Sequence, residues 1–260
     1  MIASMIPGDA NEARVDLSIV LACYNEGPWL ERSVAETVRV LETIGASWEI
    51  VFVDDASRDR TREVIRRIIA AHPGSRMKAL FHEANTGRGR AVSDGMRGAS
   101  GDIVGFIDVD LEVHPRHIPA CYAAVRNGAQ VVVGARTFRF VPGGLPRRFL
   151  SWGYSKLVHA LLPVGNVTDT ESGYKFFLRE AVLPVLATVA DPGWFWDTEM
   201  MVRCRLARLT VTEVPCVYER NPAKKSTVRI ARDAAVQLKR IFALRRILSR
   251  GDLKAVHERG

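Results

Sequence analysis

The feature that most constrains this chain is a regular alternation, in its first half, of short apolar runs with longer amphipathic stretches. Apolar runs at 17–22, 49–54, 77–82, 103–108 and 130–134 read as buried strands, each bounded by polar or glycine-containing segments. Between them, 26–44, 61–71, 89–98 and 115–127 carry the helical period, and Pro28 falls in the first turn of the first helix. Strands alternating with helices predict an α/β fold with a mostly parallel sheet covered by helices on both faces. The second half is less regular: helices are expected at 147–162, 179–189 and 197–207, a strand at 210–217, and a long basic amphipathic helix at 228–248.

No internal repeat and no linker divides the sequence. The expected organisation is a polar, disordered leader at 1–14, one catalytic domain at 15–220, and a basic loop and helix at 221–260. A chain of 260 residues buries enough apolar surface to need no disulfide or metal staple. Cys23, Cys121, Cys204 and Cys216 form no Cys-x-x-Cys pair, which reads as reduced, buried thiols in a cytoplasmic protein rather than a zinc site.

Charge is unevenly placed. Between Arg220 and Arg250 ten basic residues face the single acid Asp233, an excess larger than the net charge of +8 for the whole chain. A near-neutral body with a basic end points to an anionic partner there. No secretory signal is expected, and the most apolar stretch, 149–164, is interrupted by Lys156 and His159. Membrane contact is therefore expected to be peripheral, on the cytoplasmic face, through the basic helix. The body offers no nucleic-acid-binding module, so no nucleic-acid partner is expected.

Ligands of open α/β sheets bind at the carboxyl ends of the strands. Here those ends carry Tyr24-Asn25-Glu26, then Asp54-Asp55-Ala56-Ser57-Arg58-Asp59, then Asp108-Val109-Asp110-Leu111-Glu112. Acids at three strand ends crowd one rim with negative charge, a costly arrangement unless a cation sits there. Asp108 and Asp110, just past an apolar strand, offer two hard carboxylates to Mg²⁺ or Mn²⁺, with Glu112 as a third. Taken alone, Asp-x-Asp is a common acidic turn. The loop Asn85-Thr86-Gly87-Arg88-Gly89-Arg90-Ala91 lacks the Walker pattern, yet its arginines before a helix can reach a phosphate. No Ser/His/Asp nucleophile set is present, and the six histidines are scattered.

These segments together resemble glycosyltransferase family 2, with its GT-A, Rossmann-like fold. Gly134-Ala135-Arg136, Arg147-x-x-x-Ser151, Asp169-Thr170-Glu171-Ser172-Gly173-Tyr174-Lys175, Trp196-Asp197-Thr198-Glu199 and Glu213-Val214-Pro215 resemble the dolichyl- or polyprenyl-phosphate mannosyltransferase and glucosyltransferase branch. The resemblance covers about residues 15–230. It implies that Tyr24, Glu26, Val53, Asp55, Ser57, Arg88, Val109 and Arg220 line the donor site, and that Asp108, Asp110 and Glu112 hold the metal on the donor diphosphate. It implies further that Arg136, Arg147 and Ser151 hold the acceptor's lipid phosphate. The family usually has Pro where Ala22 stands, Gln where Glu112 stands, and Ser-Lys where Ser226-Thr227 stands, leaving Lys224 or Lys225 to serve for that lysine.

Arg147 and Ser151 are spaced i, i+4, which places both on one helix face, as a guanidinium fork and a hydroxyl around one phosphate require. Tyr154, Leu157 and Leu161 continue that face with apolar surface for a polyprenyl tail, though core packing explains them equally well. The implied reaction is single-displacement, inverting transfer of a hexose from a GDP- or UDP-sugar to a polyprenyl monophosphate. A phosphate is largely dianionic at pH 7, so it needs no strong base. Asp110, Asp169 and Asp197 are the candidate catalytic carboxylates, with helix capping as the ordinary alternative for Asp169 and Asp197. The rival within the fold is transfer to a soluble hydroxyl, which needs a general base, and Asp197 would then supply it. A non-enzymatic nucleic-acid-binding protein is the remote rival. A nucleotidyltransferase would want a glycine-rich N-terminal loop, and 23–29 is not one.

Overall fold

The computed structural model of the chain describes residues 4–6, 14–138, 145–220 and 230–250, with the backbone alone described at 4–6, 145–152 and 230–234. In chain order the strands are β1 Ser4–Ile6, β2 Leu17–Cys23, β3 Trp48–Asp54, β4 Met77–Phe81, β5 Ile103–Ile107, β6 Val131–Phe138, β7 Tyr174–Leu178 and β8 Val211–Tyr218. The helices are α1 Gly27–Leu41, α2 Thr61–Ala71, α3 Arg88–Gly98, α4 Ile118–Arg126, α5 Leu145–Leu161, α6 Arg179–Leu186, α7 Trp196–Leu206 and α8 Ile230–Ser249.

All the strands join one sheet in the order β1-β4-β3-β2-β5-β7-β6-β8. β4, β3, β2 and β5 are parallel neighbours, as are β6 and β8, while β7 runs antiparallel between β5 and β6. The α/β, mostly parallel architecture is the expected one. Two strands were not expected. Ser4–Ile6, inside the leader read as disordered, pairs antiparallel with the open edge of β4, which offers unpaired backbone groups to any extended segment nearby. Tyr174–Leu178 is short and follows a polar run, yet its all-buried Tyr-Lys-Phe-Phe core fills the centre of the sheet.

Each face of the sheet carries its own core. Leu30, Val34 and Leu41 of α1, Val64, Ile65 and Ile68 of α2, and Ile118, Cys121 and Val125 of α4 pack on one face. Val92 and Met96 of α3, Val182 and Leu186 of α6, and Met200 and Cys204 of α7 pack on the other. A third cluster joins α5, α7 and α8 through Val158, Leu162, Phe195, Val202, Ile241 and Leu244. α7 is thus covered on both sides, and its residues 196–204 are all buried. An all-round buried helix shows no amphipathic stripe. The four cysteines are free and buried, as expected.

Candidate active site

The three polar strand ends meet at one edge of the sheet, and each carries a non-glycine residue in the left-handed region: Asn25 (φ 57°), Ala56 (φ 57°) and Leu111 (φ 60°). Such residues cost about 1–3 kcal/mol apiece and persist where surrounding contacts dictate the loop shape. Here the contacts are mutual. The backbone N–H of Asn25 donates to Ser57 Oγ at 2.9 Å, that of Arg58 to Asn25 Oδ1 at 2.8 Å, and that of Glu26 to Thr61 Oγ1 at 2.8 Å. Tyr24 stands exposed beside this knot. Ser57, Tyr24 and the Glu26 backbone therefore belong to one rigid rim.

Three residues expected to touch the donor are turned inward. Val53 and Val109 are buried in the cores on the two faces of the sheet. Asp55 is buried and its carboxylate accepts from the Thr86 N–H and hydroxyl and from the Gly87 N–H, each at 2.8 Å, and meets His82 Nδ1 at 2.8 Å. Burial would raise this carboxyl, but those donors hold it below the usual range. His82 is in turn lifted to about 9 by Asp55 and Asp94 against its own burial. Asp55 is a clasp between β3 and the loop at 82–87. Gly87 completes the clasp at φ 101°, where a Cβ would lie 2.4 Å from the Pro192 carbonyl oxygen.

The largest departure concerns Arg88. Instead of facing outward for a phosphate, it is 12% exposed and bridges two carboxylates. Its Nη2 lies 2.8 Å from Asp108 Oδ1 and its Nη1 2.6 Å from Asp197 Oδ2. Lys175, with no exposed surface, donates to the other oxygen of Asp197 at 2.7 Å and to the Ser172 carbonyl. Burial depresses this lysine, with Asp197 opposing. The chain Asp108–Arg88–Asp197–Lys175 balances two positive against two negative groups. It lies beneath Phe106, over whose ring both cations sit within 5.5 Å, while exposed Trp194 stacks 5.2 Å from Arg88. Sequence reading missed Lys175 and Trp194 as parts of the site; a lysine inside an aromatic strand was the available signal.

Asp197, 3% exposed and held between two cations, is not an available base. Asp169 is similarly engaged: Arg136 clasps it bidentately, Nε and Nη2 each at 2.7 Å, with the Arg136 N–H at 3.1 Å. Burial raises Asp169, yet Arg136 holds it below its ordinary range. Of the acceptor candidates, Arg136 is thus oriented by Asp169 through two of its three nitrogens. Arg147 and Ser151 fall in α5, where the backbone alone is described. Arg220 is exposed at the end of a described segment, and Lys225 lies outside the described residues.

Asp108, Asp110 and Glu112 do not form a ready three-carboxylate metal site, and among the described residues no group of three His, Cys, Asp or Glu does. Glu112 instead accepts from the Tyr218 hydroxyl of β8, and Asp108 Oδ1 is taken by Arg88. Asp108 and Asp110 stand half-buried at the end of β5, Asp110 Oδ1 accepting from the Glu112 N–H at 3.1 Å. That donor set fits Mg²⁺ or Mn²⁺, which bind through one or two carboxylates and take their other ligands from water and phosphate. The backbone is built around it. A Cβ on Gly173 would lie 1.8 Å from Asp108 Oδ2 and 2.7 Å from Arg88 Nη2, so only glycine admits the Asp108 side chain there.

Comparison with known proteins supports the same grouping. The family model described as glycosyl transferase family 2 matches residues 18–185. The glycosyltransferase AglD of Haloferax volcanii is 32% identical over 232 residues, which is 87% of this chain and 36% of that protein. A dolichyl-phosphate beta-glucosyltransferase of Trichomonas vaginalis is 27% identical over 90% of this chain and 75% of its own length. The chain therefore spans about a third of AglD and three quarters of the latter. Among solved structures, glucosyl-3-phosphoglycerate synthase from Mycobacterium tuberculosis, in complex with Mn²⁺, UDP and glucosyl-3-phosphoglycerate, superimposes with a TM-score of 0.66. It is 22% identical, over 89% of this chain and 80% of its own, and shares the fold.

Proposed function

The chain belongs to glycosyltransferase family 2, and on that premise we propose that it transfers a hexose, with inversion, from a nucleoside diphosphate sugar to a polyprenyl monophosphate. One observation carries the choice of acceptor. The candidate catalytic carboxylates Asp169 and Asp197 are each held by cations, Asp169 by Arg136 and Asp197 by Arg88 and the buried Lys175, which leaves neither free to act as a base. A phosphate acceptor needs no base, since it is already largely dianionic at pH 7. The Trichomonas relative, a dolichyl-phosphate beta-glucosyltransferase, supports the same acceptor class.

In this reading the rim of Tyr24, Glu26 and Ser57 receives the nucleoside, and Asp55 serves it by fixing the loop at 82–87. Asp108 and Asp110 would hold Mg²⁺ or Mn²⁺, which supplies charge neutralisation for the departing diphosphate. Arg88 positions Asp108. Arg220 would contribute positive charge to that diphosphate, the role the family resemblance also implies for Lys225, outside the described residues. Asp169 fixes Arg136 by Nε and Nη2, leaving Nη1 to the acceptor phosphate together with Arg147 and Ser151 of α5. The pre-set guanidinium aligns the phosphate oxygen for in-line attack at the anomeric carbon.

The acceptor lies in a membrane, and α8 provides a means of reaching it. No helix among the described residues is long and apolar enough to cross a bilayer. α8 packs on the body through Ile241 and Leu244 and is tied by Arg240 to Asp191 at 3.1 Å. The expected apolar stripe is thus divided: Ile241 faces the core, whereas Leu238 and Phe242 are exposed, Phe242 at 55%. Beside them Lys239, Arg245 and Arg246 are exposed. Exposed apolar groups among cations suit the anionic cytoplasmic leaflet. A transfer assay with UDP- and GDP-hexoses and a short-chain polyprenyl phosphate, with Mn²⁺ or EDTA, tests the proposal. It expects a metal-dependent lipid-linked product. Donor turnover onto a soluble hydroxyl alone would refute it.

A further inference from the structure

Trp194 stands at this site without a role in the steps above. At 59% it is the most exposed large apolar side chain among the described residues, yet the loop that carries it is firmly anchored. Glu199 of α7 accepts from the backbone N–H groups of Ala190 at 3.2 Å and Asp191 at 2.8 Å. The Asp191 carboxylate accepts from the Gly193 N–H at 2.8 Å, and the Pro192 carbonyl accepts from the Arg90 N–H at 3.0 Å. The start of α3 packs against this loop at backbone contact: a Cβ on Gly89 would lie 2.7 Å from the Gly193 carbonyl oxygen and 2.4 Å from Trp196 Cβ. Phe195 and Trp196, which follow directly, are buried. The exposure of Trp194 is therefore built into an ordered segment and does not come from a fraying one.

Its neighbours place it beside the donor. The indole ring lies 5.2 Å from the Arg88 guanidinium, and that guanidinium reaches Asp108 Oδ1 at 2.8 Å through Nη2. One guanidinium thus separates an exposed aromatic ring from a carboxylate that would hold the metal on the donor diphosphate. The hexose is bonded directly to that diphosphate, so it is the first part of the donor beyond the phosphates to meet this rim. We propose that Trp194 is the platform on which the donor's hexose stacks; this rests on the nucleotide-sugar half of the reading above and not on its acceptor. A pyranose carries C–H bonds on its faces and hydroxyls around its edge. The flat, apolar indole matches a face, while the charged groups at Asp108 and Arg88 match the edge. Because the loop is already ordered, little conformational freedom is lost when the sugar lands.

The test is calorimetric titration of the wild type, Trp194→Phe and Trp194→Ala with UDP, UDP-glucose, GDP and GDP-mannose, all with Mn²⁺ and with each Tm measured. Trp194→Ala is expected to weaken binding of the accepted nucleotide sugar about tenfold and to leave the matching nucleoside diphosphate within about twofold of the wild type. Trp194→Phe keeps an aromatic face and is expected to recover most of that loss. Equal weakening of nucleotide sugar and nucleoside diphosphate overturns this inference alone, because Trp194 would then act only by holding Arg88 and Asp108. Unchanged affinity for both in Trp194→Ala overturns it too, as does a raised acceptor KM at unchanged nucleotide-sugar affinity. A wild type that binds no nucleotide sugar overturns the donor reading itself, and this inference with it.

Discussion

Replacing Asp197 by Asn probes the buried charge chain directly. The substitution keeps shape and removes one negative charge, leaving Arg88 with Asp108 alone and Lys175 with only the Ser172 carbonyl. Lys175 loses its 2.7 Å carboxylate partner and Arg88 its 2.6 Å one, both where water cannot replace them. Removing one partner of a buried ion pair costs about 3–5 kcal/mol, chiefly because the remaining charge is uncompensated. For a chain of this size each kcal/mol moves Tm by about 2–4 °C, so Asp197→Asn is expected to lower Tm by roughly 10 °C. Thermal unfolding followed by circular dichroism at pH 7.5 measures it. Adding Lys175→Met removes the surplus cation and fills its place with apolar volume, so the double variant is expected to regain part of the loss. An Asp197→Asn protein melting within about 2 °C of the wild type would refute the charge-balance argument. So would a double variant less stable than Asp197→Asn.

Two further outcomes follow from the site and from α8. Gly173→Ala is expected to displace the Asp108 carboxylate, because the added methyl would lie 1.8 Å from Oδ2. Calorimetric titration with Mn²⁺ and UDP should show affinity weakened about tenfold or more, as when a ligand-orienting contact is lost, with unchanged affinity as the contrary result. The wild type is expected to sediment with anionic vesicles at low salt and not with zwitterionic ones, and Phe242→Glu to stay in the supernatant. Equal recovery with both vesicle types would remove α8 as a membrane contact.

The sheet and the acidic end of β5 were legible because their signals are local. An Ile-Val-Gly-Phe-Ile run ending in Asp-x-Asp is a strand and its acidic carboxyl end within eight residues. Strand β7 was missed because its five residues follow a polar segment read only for chemistry. Its Lys175 breaks the apolar pattern by turning into a buried ion pair that one strand cannot disclose. Arg88 shows the limit most plainly. As a residue after a glycine it reads as a phosphate ligand, but its partner Asp197 is 109 positions away, and only the fold brings them to 2.6 Å. Val53 and Val109 were drawn into the site by resemblance, whereas the side-chain alternation of a strand and the burial of the turn send both into the core.

The central claim is the acceptor. The most direct measurement incubates the wild type and Asp110→Asn with radiolabelled UDP-glucose or GDP-mannose, Mn²⁺ and a short-chain polyprenyl phosphate, and counts label in the organic phase. Label is expected there with one of the two donors, abolished by EDTA and by Asp110→Asn. Label confined to the aqueous phase, on a soluble hydroxyl acceptor and still metal-dependent, would contradict it.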